Sequence, residues 1–465
     1  MARPADSDGI ATGRLRRVVP AAELVARTAG ESVVDRLRRK DPDPETLVRR
    51  ADRYVELLGR SKGALMKVGQ LMSFVTLSTA VPDESRATFQ AAMGRLQAEA
   101  PPMAFELAAE MIRADLGERP EVLFEEFDPV PLAAASIGQV HAATTRDGQR
   151  VAVKVQYPGV AAAIEADLKN TELLAVLFQL MRSFVPGAHF DMRSMAVEIT
   201  ARVSEELDYV NEARNQMFFA DAYAHHPFFR IPRVRPEYSS RHVLTQEFAT
   251  GLRWADALGA DKHLRDSWAE VLYRFYFGSL RMLGAFYADP HPGNYFFHED
   301  GTVTFLDFGC VKYFPPERVA LLTDVIKAVV SNDRAALRQA FVAQGAFDDT
   351  TGPSADEIAE WYAGPLLFFH DPQPVTLSTE RLAEAIRTQY SPFGSSGTVV
   401  RRLRTPGDLV FLSRIDLGLI SLMAELEATN DWLAVGMEMD FDAPPATELG
   451  RRHARWVQTA PTRSR

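Results

Sequence analysis

The stretch "ADPHPGNYFFHEDGTVTFLDFG", which runs from Ala288 to Gly309, decides the fold, because it carries three oxygen-bearing side chains at fixed spacing. Asn294 follows Asp289 by five residues, and Asp307 follows Asn294 by thirteen. Phosphoryl transfer from a nucleotide needs one carboxylate to orient the acceptor, and an Asn and a second carboxylate to hold Mg²⁺. A loop followed by a hairpin that supplies these groups predicts such a site. An ordinary turn rich in Pro and Gly is the alternative.

Upstream, "VAVKVQ" has the alternation of a β-strand. Its valines, Val151, Val153 and Val155, are predicted to face a core, which leaves Ala152 and Lys154 on the opposite face. The "RDG" before it predicts a hairpin turn to the preceding strand. Lys154 is thus a candidate for binding phosphates, although a solvated strand lysine has the same pattern.

An acidic segment, "EELDYVNEARN", places Glu206, Asp208 and Glu212 on a predicted helix. Asp208 and Glu212 are four residues apart and share a face, which is mildly unfavourable without a basic partner. Glu212 is a candidate partner for Lys154, which would fix the lysine against the α- and β-phosphates. A solvated helix face is the alternative.

A second basic segment, "LMKVGQLMSF", holds Lys67, Gly69 and Gln70 in a helical region. Glycine inside a helix costs about 1 kcal/mol relative to Ala, which suggests close approach by another segment. Periodicity alone favours an amphipathic helix with one surface lysine.

The segment "AAASIGQV" lies where a phosphate-binding loop would precede the Lys154 strand. Alanine keeps such a loop small, so backbone N–H groups can approach a phosphate, but it disfavours φ > 0 and stiffens the loop. The candidate nucleotide-binding residues here are Ala133, Ala134, Ala135, Ser136, Ile137, Gly138, Gln139, Val140, Ala152 and Lys154.

Composition is typical of a soluble globular protein, with 465 residues, 46% apolar and 25% charged. The formal net charge of −10 argues against nucleic acid as the main partner. The single cysteine, Cys310, excludes internal disulfides and Cys-rich zinc sites and favours a reducing cytoplasm. We predict neither a signal peptide nor a transmembrane helix, because the apolar runs are short or interrupted by arginines.

The predicted organisation is a two-lobed α+β chain with five segments. These are a disordered tail (1–18), a helical N-terminal extension (19–118), a strand-rich lobe with a helix (119–250), a helical lobe (251–445) and a basic flexible tail (446–465). Strands are also predicted at "IPRVRPEY" and "RHVLTQEF", and one long apolar helix at about 262–288. Beyond about residue 315 the pattern is helical.

Together these residues resemble the UbiB-like (AarF/ADCK) atypical kinase family. The matching pieces, in the family's order, are "KVGQ", "AAASIGQVHAA", "VAVKVQYPGV", "ELDYVNEARN", "ADPHPGN" and "LDFG", over about residues 60 to 315. The resemblance implies a protein-kinase-like fold with a helical N-terminal extension packed over the active site. It also implies an adenine nucleotide, ATP or ADP, with Mg²⁺ or Mn²⁺.

Carried across to this chain, the resemblance makes Lys154 the nucleotide lysine and Glu212 its helix partner. Asp289 matches the catalytic aspartate, and Asn294 and Asp307 match the metal ligands. An altered preference between ATP and ADP is expected from the alanine-rich loop.

The resemblance also assigns regulatory and adenine-binding positions. Lys67, Gly69 and Gln70 match the KxGQ motif that reaches into the cleft where a peptide would bind. Glu206 and Asp208 match the ExD motif that meets that lysine. The hinge to adenine falls at Glu247, Phe248 and Ala249.

The sequence departs from the family at two informative places. Tyr287 stands where many members have histidine, which puts any hydrogen bond from that histidine in doubt. No "APE"-type activation segment follows Gly309, which removes the platform that a protein kinase uses for a peptide substrate.

Three functions therefore remain open, and we favour the first. It is an ATP-dependent phosphotransferase or ATPase that acts on a small or lipid-like acceptor, such as an isoprenoid quinone precursor, with peripheral contact at the inner face of the membrane. The second is a nucleotide-binding regulator or chaperone-like pseudokinase without productive transfer. The third is a protein kinase, which the missing activation segment disfavours.

Overall fold

The computed structural model describes residues 103–134, 137–162, 164, 207–390, 395–404 and 407–459. These residues form two compact units. The first comprises the described residues up to Ile164 together with Leu207–Tyr209 and Arg235–Thr245, and the second comprises Val210–Val234 and the residues from Gln246 onward. The division differs from the boundary expected near residue 250, because the helix that carries Glu212 belongs to the second unit.

Runs of strands and runs of helices follow one another along the described residues, as expected for an α+β fold. The helices are α1 (Phe105–Leu116), α2 (Pro120–Leu123), α3 (Tyr209–Ala222), α4 (Trp254–Leu258), α5 (Lys262–Leu283), α6 (Pro316–Val330), α7 (Arg334–Ala343), α8 (Ala355–Leu366), α9 (Thr379–Tyr390), α10 (Ser395–Arg402), α11 (Gly407–Glu425), α12 (Trp432–Phe441) and α13 (Glu448–Thr459). The strands are β1 (Phe124–Phe127), β2 (Ala133–Ala134), β3 (Gly138–Thr145), β4 (Arg150–Gln156), β5 (Phe229–Arg230), β6 (Val243–Glu247), β7 (Ala285–Tyr287), β8 (Tyr295–Phe297), β9 (Val303–Phe305), β10 (Val311–Tyr313), β11 (Val375–Thr376) and β12 (Thr429–Asn430).

The first unit is built on a sheet of order β1–β3–β4–β6, with β2 added to β3. β3 and β4 pair antiparallel along their length, and Gly148 turns the chain between them at φ +80°. The three valines of β4 are fully buried, whereas Ala152 and Lys154 are partly exposed on the other face. The predicted hairpin and the predicted face of Lys154 are both confirmed.

Helix α1 covers the buried face of this sheet. Ala108 and Ile112 pack with Phe124 and the β4 valines in one apolar cluster. Each such side chain contributes about 1.5–3 kcal/mol on full burial. The helix ends at Gly117, which adopts a left-handed φ of +89°.

The second unit is organised around α5, whose middle is buried on every side. The helix ends at Gly284, which takes a left-handed φ of +61°. A Cβ there would lie 2.9 Å from the carbonyl oxygen of Phe314, so the close approach also favours glycine. The helix predicted to reach residue 288 therefore stops at Leu283, and Ala285–Tyr287 forms β7.

Two further predictions differ from the structure. The strand predicted at "IPRVRPEY" is reduced to a single bridge at Val234, followed by a 3₁₀ turn at Pro236–Tyr238. Pro232 and Pro236 lack the N–H that a ladder needs, which explains the interruption. The helical pattern beyond residue 315 is also interrupted by the short strands β11 and β12, which pair with each other. The strand predicted at "RHVLTQEF" is confirmed as β6.

Within the part of the chain that the structure describes, no helix combines the length and the apolar character needed to cross a membrane.

The sequence led us to expect a flexible tail from residue 446, but Glu448–Thr459 forms helix α13 in the second unit. Trp456 donates its indole N–H to the carbonyl of Ala224 at 3.1 Å, and Arg452 donates to the carbonyl of Pro227 at 2.6 Å. Both acceptors lie in the loop after α3. Local composition could not reveal this docking, because its partners are more than 200 residues away.

A pair of histidines joins α13 to the same loop. Nε2 of His226 lies 3.0 Å from Nδ1 of His453, and Nδ1 of His226 accepts from the backbone N–H of Phe229 at 3.2 Å. His226 must therefore donate through Nε2 and accept through Nδ1, which requires the neutral ring. Burial lowers the pKa of His226 to about 2 and that of His453 to about 4.

We expect the His226–His453 pair to destabilise the fold as the pH falls below about 6.5. Since both pKa values are lower in the folded protein than in the unfolded chain, the unfolded chain binds more protons at these two sites below that pH. Each histidine should therefore cost about 1 kcal/mol of unfolding free energy between pH 7.5 and 5.5. Burial raises the pKa of Asp416 to about 7, so this carboxyl acts in the opposite direction over the same interval, and the pair is tested by comparing variants. In urea unfolding at the two pH values, His453→Gln should remove about 1 kcal/mol of the pH-dependent loss, whereas His263→Gln, on the exposed surface of α5, should leave the pH dependence unchanged. The same pH dependence in all three proteins would contradict the assignment.

Candidate active site

Two short strand pairs in the second unit bring the predicted metal-binding residues to one place. β7 pairs with β10, and the pairing continues where the N–H of Ala288 bonds the carbonyl of Cys310 at 2.9 Å. β8 pairs with β9, and the N–H of Leu306 bonds the carbonyl of Asn294 at 3.0 Å. The chain segments that hold Asp289, Asn294 and Asp307 are therefore fixed at the ends of these pairs by backbone hydrogen bonds.

Two side chains of this loop are bonded to each other, and a third is bonded to the backbone. Nδ2 of Asn294 donates to Oδ2 of Asp289 at 3.0 Å and to the Asp289 carbonyl at 3.2 Å. Oδ1 of Asp307 accepts from the N–H of Gly309 at 2.9 Å. That these three residues form one site stays a prediction.

Helix α3 adds a residue that the sequence analysis did not single out. Nδ2 of Asn215 donates to the carbonyl of Phe308 at 3.0 Å, and the hydroxyl of Tyr313 donates to Oδ1 of Asn215 at 2.9 Å. Asn215 thereby fixes the segment directly after Asp307. It is three residues after Glu212, so both lie on one face of α3, and both side chains are 2% exposed. The three-residue spacing from Glu212 is the sequence signal that could have identified Asn215.

Three fully buried tyrosines surround Asp289. The hydroxyls of Tyr276 and Tyr295 lie 2.5 Å apart. Burial raises the pKa of Tyr287 well above its usual range, and Tyr295 and the carboxylates of Asp307, Asp289 and Glu212 raise it further. Burial likewise raises the pKa of Tyr276 and Tyr295, with Asp289 among the lesser causes. All three phenols therefore remain protonated hydrogen-bond donors.

The residues present fit a magnesium nucleotide. Asp289, Asn294 and Asp307 offer carboxylate and amide oxygens, the hard ligands that Mg²⁺ prefers. Within the described residues no three His, Cys, Asp or Glu side chains cluster as a metal cage. Mg²⁺ usually takes one or two carboxylates and completes its shell with water and substrate phosphates.

In the first unit, Lys154 lies on the face of the sheet away from the valine core. Its β3 partner is Val140, and Ala152 is opposite Ala142. The Lys154 ammonium lies 4.9 Å from the centre of the Tyr209 ring. Gln156 donates to the carbonyl of Leu207 at 2.9 Å, which holds the segment containing Asp208 against the end of β4.

Two residues of the alanine segment form the short strand β2, which pairs antiparallel with β3 in the first unit. Ala133 pairs with Val140 and Ala134 pairs with Gln139. Gly138 is required by the sheet, because a Cβ there would lie 2.2 Å from the carbonyl oxygen of Val155. The single glycine of this segment therefore allows close strand packing.

Gln139 and Ile137, both predicted nucleotide-binding residues, have buried side chains. The Gln139 side chain accepts from the N–H of Met103 at 2.9 Å and lies 2.9 Å from Nε2 of His141. The Gln139 side chain anchors the backbone at Met103, so any contact of Gln139 with a nucleotide would come from its own backbone.

The predicted hinge begins at the last residue of β6. The N–H of Glu247 donates to the carbonyl of Arg233 at 2.9 Å, and the N–H of Arg233 donates to the Glu247 carboxylate at 2.9 Å. Phe248 and Ala249 follow directly after the end of β6. The remaining predicted site residues lie outside the described residues: Lys67, Gly69, Gln70, Ala135, Ser136 and Glu206.

Comparison with known proteins identifies related chains. The profile of the ABC1 atypical kinase-like domain matches residues 95–341. The chloroplastic protein ACTIVITY OF BC1 COMPLEX KINASE 7 of Arabidopsis thaliana is 34% identical over 72% of this chain and 48% of its own length. The mitochondrial atypical kinase COQ8B of Rattus norvegicus is 31% identical over 64% of this chain and 55% of its own length. The chain thus spans about half the length of the curated relatives it matches.

A solved structure is similar in fold over nearly the whole chain. It is the complex of Rv3197 with erythromycin from Mycobacterium tuberculosis, 28% identical, with a TM-score of 0.59. The match covers 91% of this chain and 98% of the other. It confirms the kinase-like fold predicted from the motifs.

Proposed function

The chain belongs to the ABC1 atypical kinase-like family, and from that premise we propose that it binds an adenine nucleotide with Mg²⁺ and hydrolyses ATP or transfers its phosphoryl group. The observation that carries the proposal is the bond from the Asn294 amide to the Asp289 carboxylate, together with backbone hydrogen bonds that hold the segments of Asp289, Asn294 and Asp307 at the ends of two strand pairs. Phosphoryl transfer depends mainly on positioning and charge neutralisation, which this set supplies.

The roles follow from the chemistry of each side chain. Asn294 and Asp307 would hold the metal, which when bound neutralises charge on the phosphates. Asp289, fixed by the Asn294 amide, would orient the attacking oxygen and accept its proton. Lys154, on the face of its sheet away from the valine core, would bind the phosphates.

For the acceptor we propose a small or lipid-like molecule, such as an isoprenoid quinone precursor. The support comes from two relatives, because one is named COQ8B and another was solved with erythromycin, a large amphipathic molecule. A prenylated phenol and erythromycin are therefore the first compounds to test, together with vesicles that would reveal peripheral membrane contact.

A regulatory nucleotide-binding protein without productive transfer is the second candidate. The observation that favours it is the pairing of Ala133 and Ala134 with β3. A flexible glycine loop at this position would instead adjust its backbone to the phosphates. The two candidates separate in one experiment on the full chain. Thermal shifts with ATP and ADP, with and without Mg²⁺, measure binding, and phosphate release measures turnover. Binding with no turnover, with or without the test compounds, would favour the regulator, and no binding would contradict both.

Ala134→Gly is expected to change the ratio of the ATP and ADP dissociation constants by roughly 2- to 5-fold. Glycine gains backbone freedom worth about 0.5–1 kcal/mol, which lets the segment adjust differently to a third phosphate. Calorimetric titration with each nucleotide measures the ratio. Thr144→Gly, at the far end of β3, is the control and should weaken the strand without changing the ratio. An unchanged ratio in Ala134→Gly would show that the segment does not select the nucleotide.

A further inference from the structure

The hydroxyl of Tyr287, in the second unit, departs from the rule that buried polar groups are hydrogen bonded. The residue is 0% exposed, and its hydroxyl has no hydrogen-bond partner among the described residues. Buried hydroxyls are nearly always hydrogen bonded, so an unpaired one points to a hydrogen bond that forms only when a ligand or ion binds. The neighbouring phenols of Tyr276 and Tyr295 follow the ordinary pattern, because they bond to each other.

The backbone and ring of Tyr287 are firmly fixed beside the metal-binding residues. It is the last residue of β7, opposite Val311 on β10, and lies two residues before Asp289. Its ring packs edge-on against Phe308, the residue after Asp307, at 5.3 Å between centroids. Phe275 holds the ring from another side at 5.6 Å. The hydroxyl therefore cannot turn toward solvent.

The surroundings of this hydroxyl are acidic. The carboxylates of Asp307, Asp289 and Glu212 all raise the pKa of Tyr287, after burial and the Tyr295 phenol. Among the carboxylates Asp307 has the largest effect. A tyrosine phenol is protonated at neutral pH, so it can donate to a carboxylate.

We propose that Tyr287 is a positioning residue of the magnesium-nucleotide site, whose hydroxyl donates a hydrogen bond to the Asp307 carboxylate when the nucleotide is bound. Asp307 already accepts from the Gly309 N–H through Oδ1. A second donor fixes the plane of the carboxylate and so the direction of its remaining lone pairs. The proposal rests on the proposed function, because it needs a bound magnesium nucleotide.

Tyr287→Phe removes only the hydroxyl and tests this role. Calorimetric titration with ADP, with and without Mg²⁺, gives two dissociation constants and hence the gain in affinity that the metal provides. Groups that orient metal ligands typically change metal affinity by about 10- to 100-fold. We expect the variant to lose roughly 10-fold of this gain, while metal-free ADP binding stays within about 2-fold. The melting temperature without ligand should stay the same or rise, because an unpaired buried group is removed.

Tyr295→Phe is the matched control, because it removes the hydroxyl of another fully buried phenol. That hydroxyl is bonded to Tyr276, so its loss should lower the melting temperature and leave the magnesium-dependent gain unchanged. A full gain in Tyr287→Phe, or an equal loss in both variants, would overturn the positioning role. If the wild-type protein binds ADP with no magnesium dependence, the proposed function fails at the metal site, and the inference about Tyr287 fails with it.

Discussion

Asp307→Asn should reduce magnesium-dependent ATP turnover by about 10²-fold or more, the scale seen when one preorganised stabilising group is removed from an active site. The substitution keeps the shape of the side chain and an oxygen that can accept from the Gly309 N–H. It removes the negative charge that attracts the metal. The loss should therefore appear in turnover and in metal-dependent nucleotide binding, with little change in unliganded stability.

The chain offers a close control for this substitution. Oδ1 of Asp300 accepts from the N–H of Thr302 at 3.0 Å, two residues on, as Asp307 does from Gly309. Asp300 is 54% exposed at its side chain and pairs with Arg230. Asp300→Asn changes the same atoms in the same kind of turn and should leave turnover within about 2-fold, since exposed ion pairs contribute at most about 1 kcal/mol. Phosphate release and thermal shift with Mg-ATP measure both variants.

The result also separates the candidate functions. An unchanged low rate of phosphate release in Asp307→Asn would mean that the measured turnover does not come from this site. If Asp307→Asn loses the thermal shift with Mg-ADP, and neither the variant nor the wild-type protein shows measurable turnover, the result favours a metal-dependent nucleotide-binding regulator.

The candidate site residues could be proposed from sequence because their chemistry depends on residue type and short spacing. Asp289, Asn294 and Asp307 lie within one stretch, and a hairpin of that length has few ways to fold. The Lys154 face was predictable for a similar reason, since a period of two determines which side chains share a face.

Other features depend on contacts between distant segments, which local patterns do not encode. The Asn215 amide bonds Phe308, 93 residues away. Gln139 appeared to belong to a phosphate loop, but its side chain anchors Met103. Helix α13 looked like a basic tail because arginine and histidine predominate there, and only its docking on the loop after α3 gives those groups buried partners.

The largest effect on stability is expected at Arg274, which is 3% exposed in the middle of α5. Its guanidinium donates to Glu270 at 2.7 Å and makes a two-pronged contact with Glu438 on α12 at 2.8 Å for each bond. Arg274→Met removes the cation and leaves two carboxylates largely buried. Breaking a buried ion pair by removing one partner costs about 3–5 kcal/mol. Urea unfolding at pH 7.5 should show a loss of this size.

The matched control is Arg451→Met on α13, where the arginine is half-exposed and bonds Glu448 at 2.8 Å. Exposed pairs of this kind contribute about 0–1 kcal/mol, so the two substitutions should differ several-fold in effect. The double variant Arg274→Met with Glu438→Gln tests the cause. If the loss comes from an uncompensated charge, neutralising Glu438 should recover part of it. If the double variant is less stable than Arg274→Met by the full cost of a separate Glu438→Gln, then the arginine stabilises the protein by packing, and the ion-pair explanation is wrong.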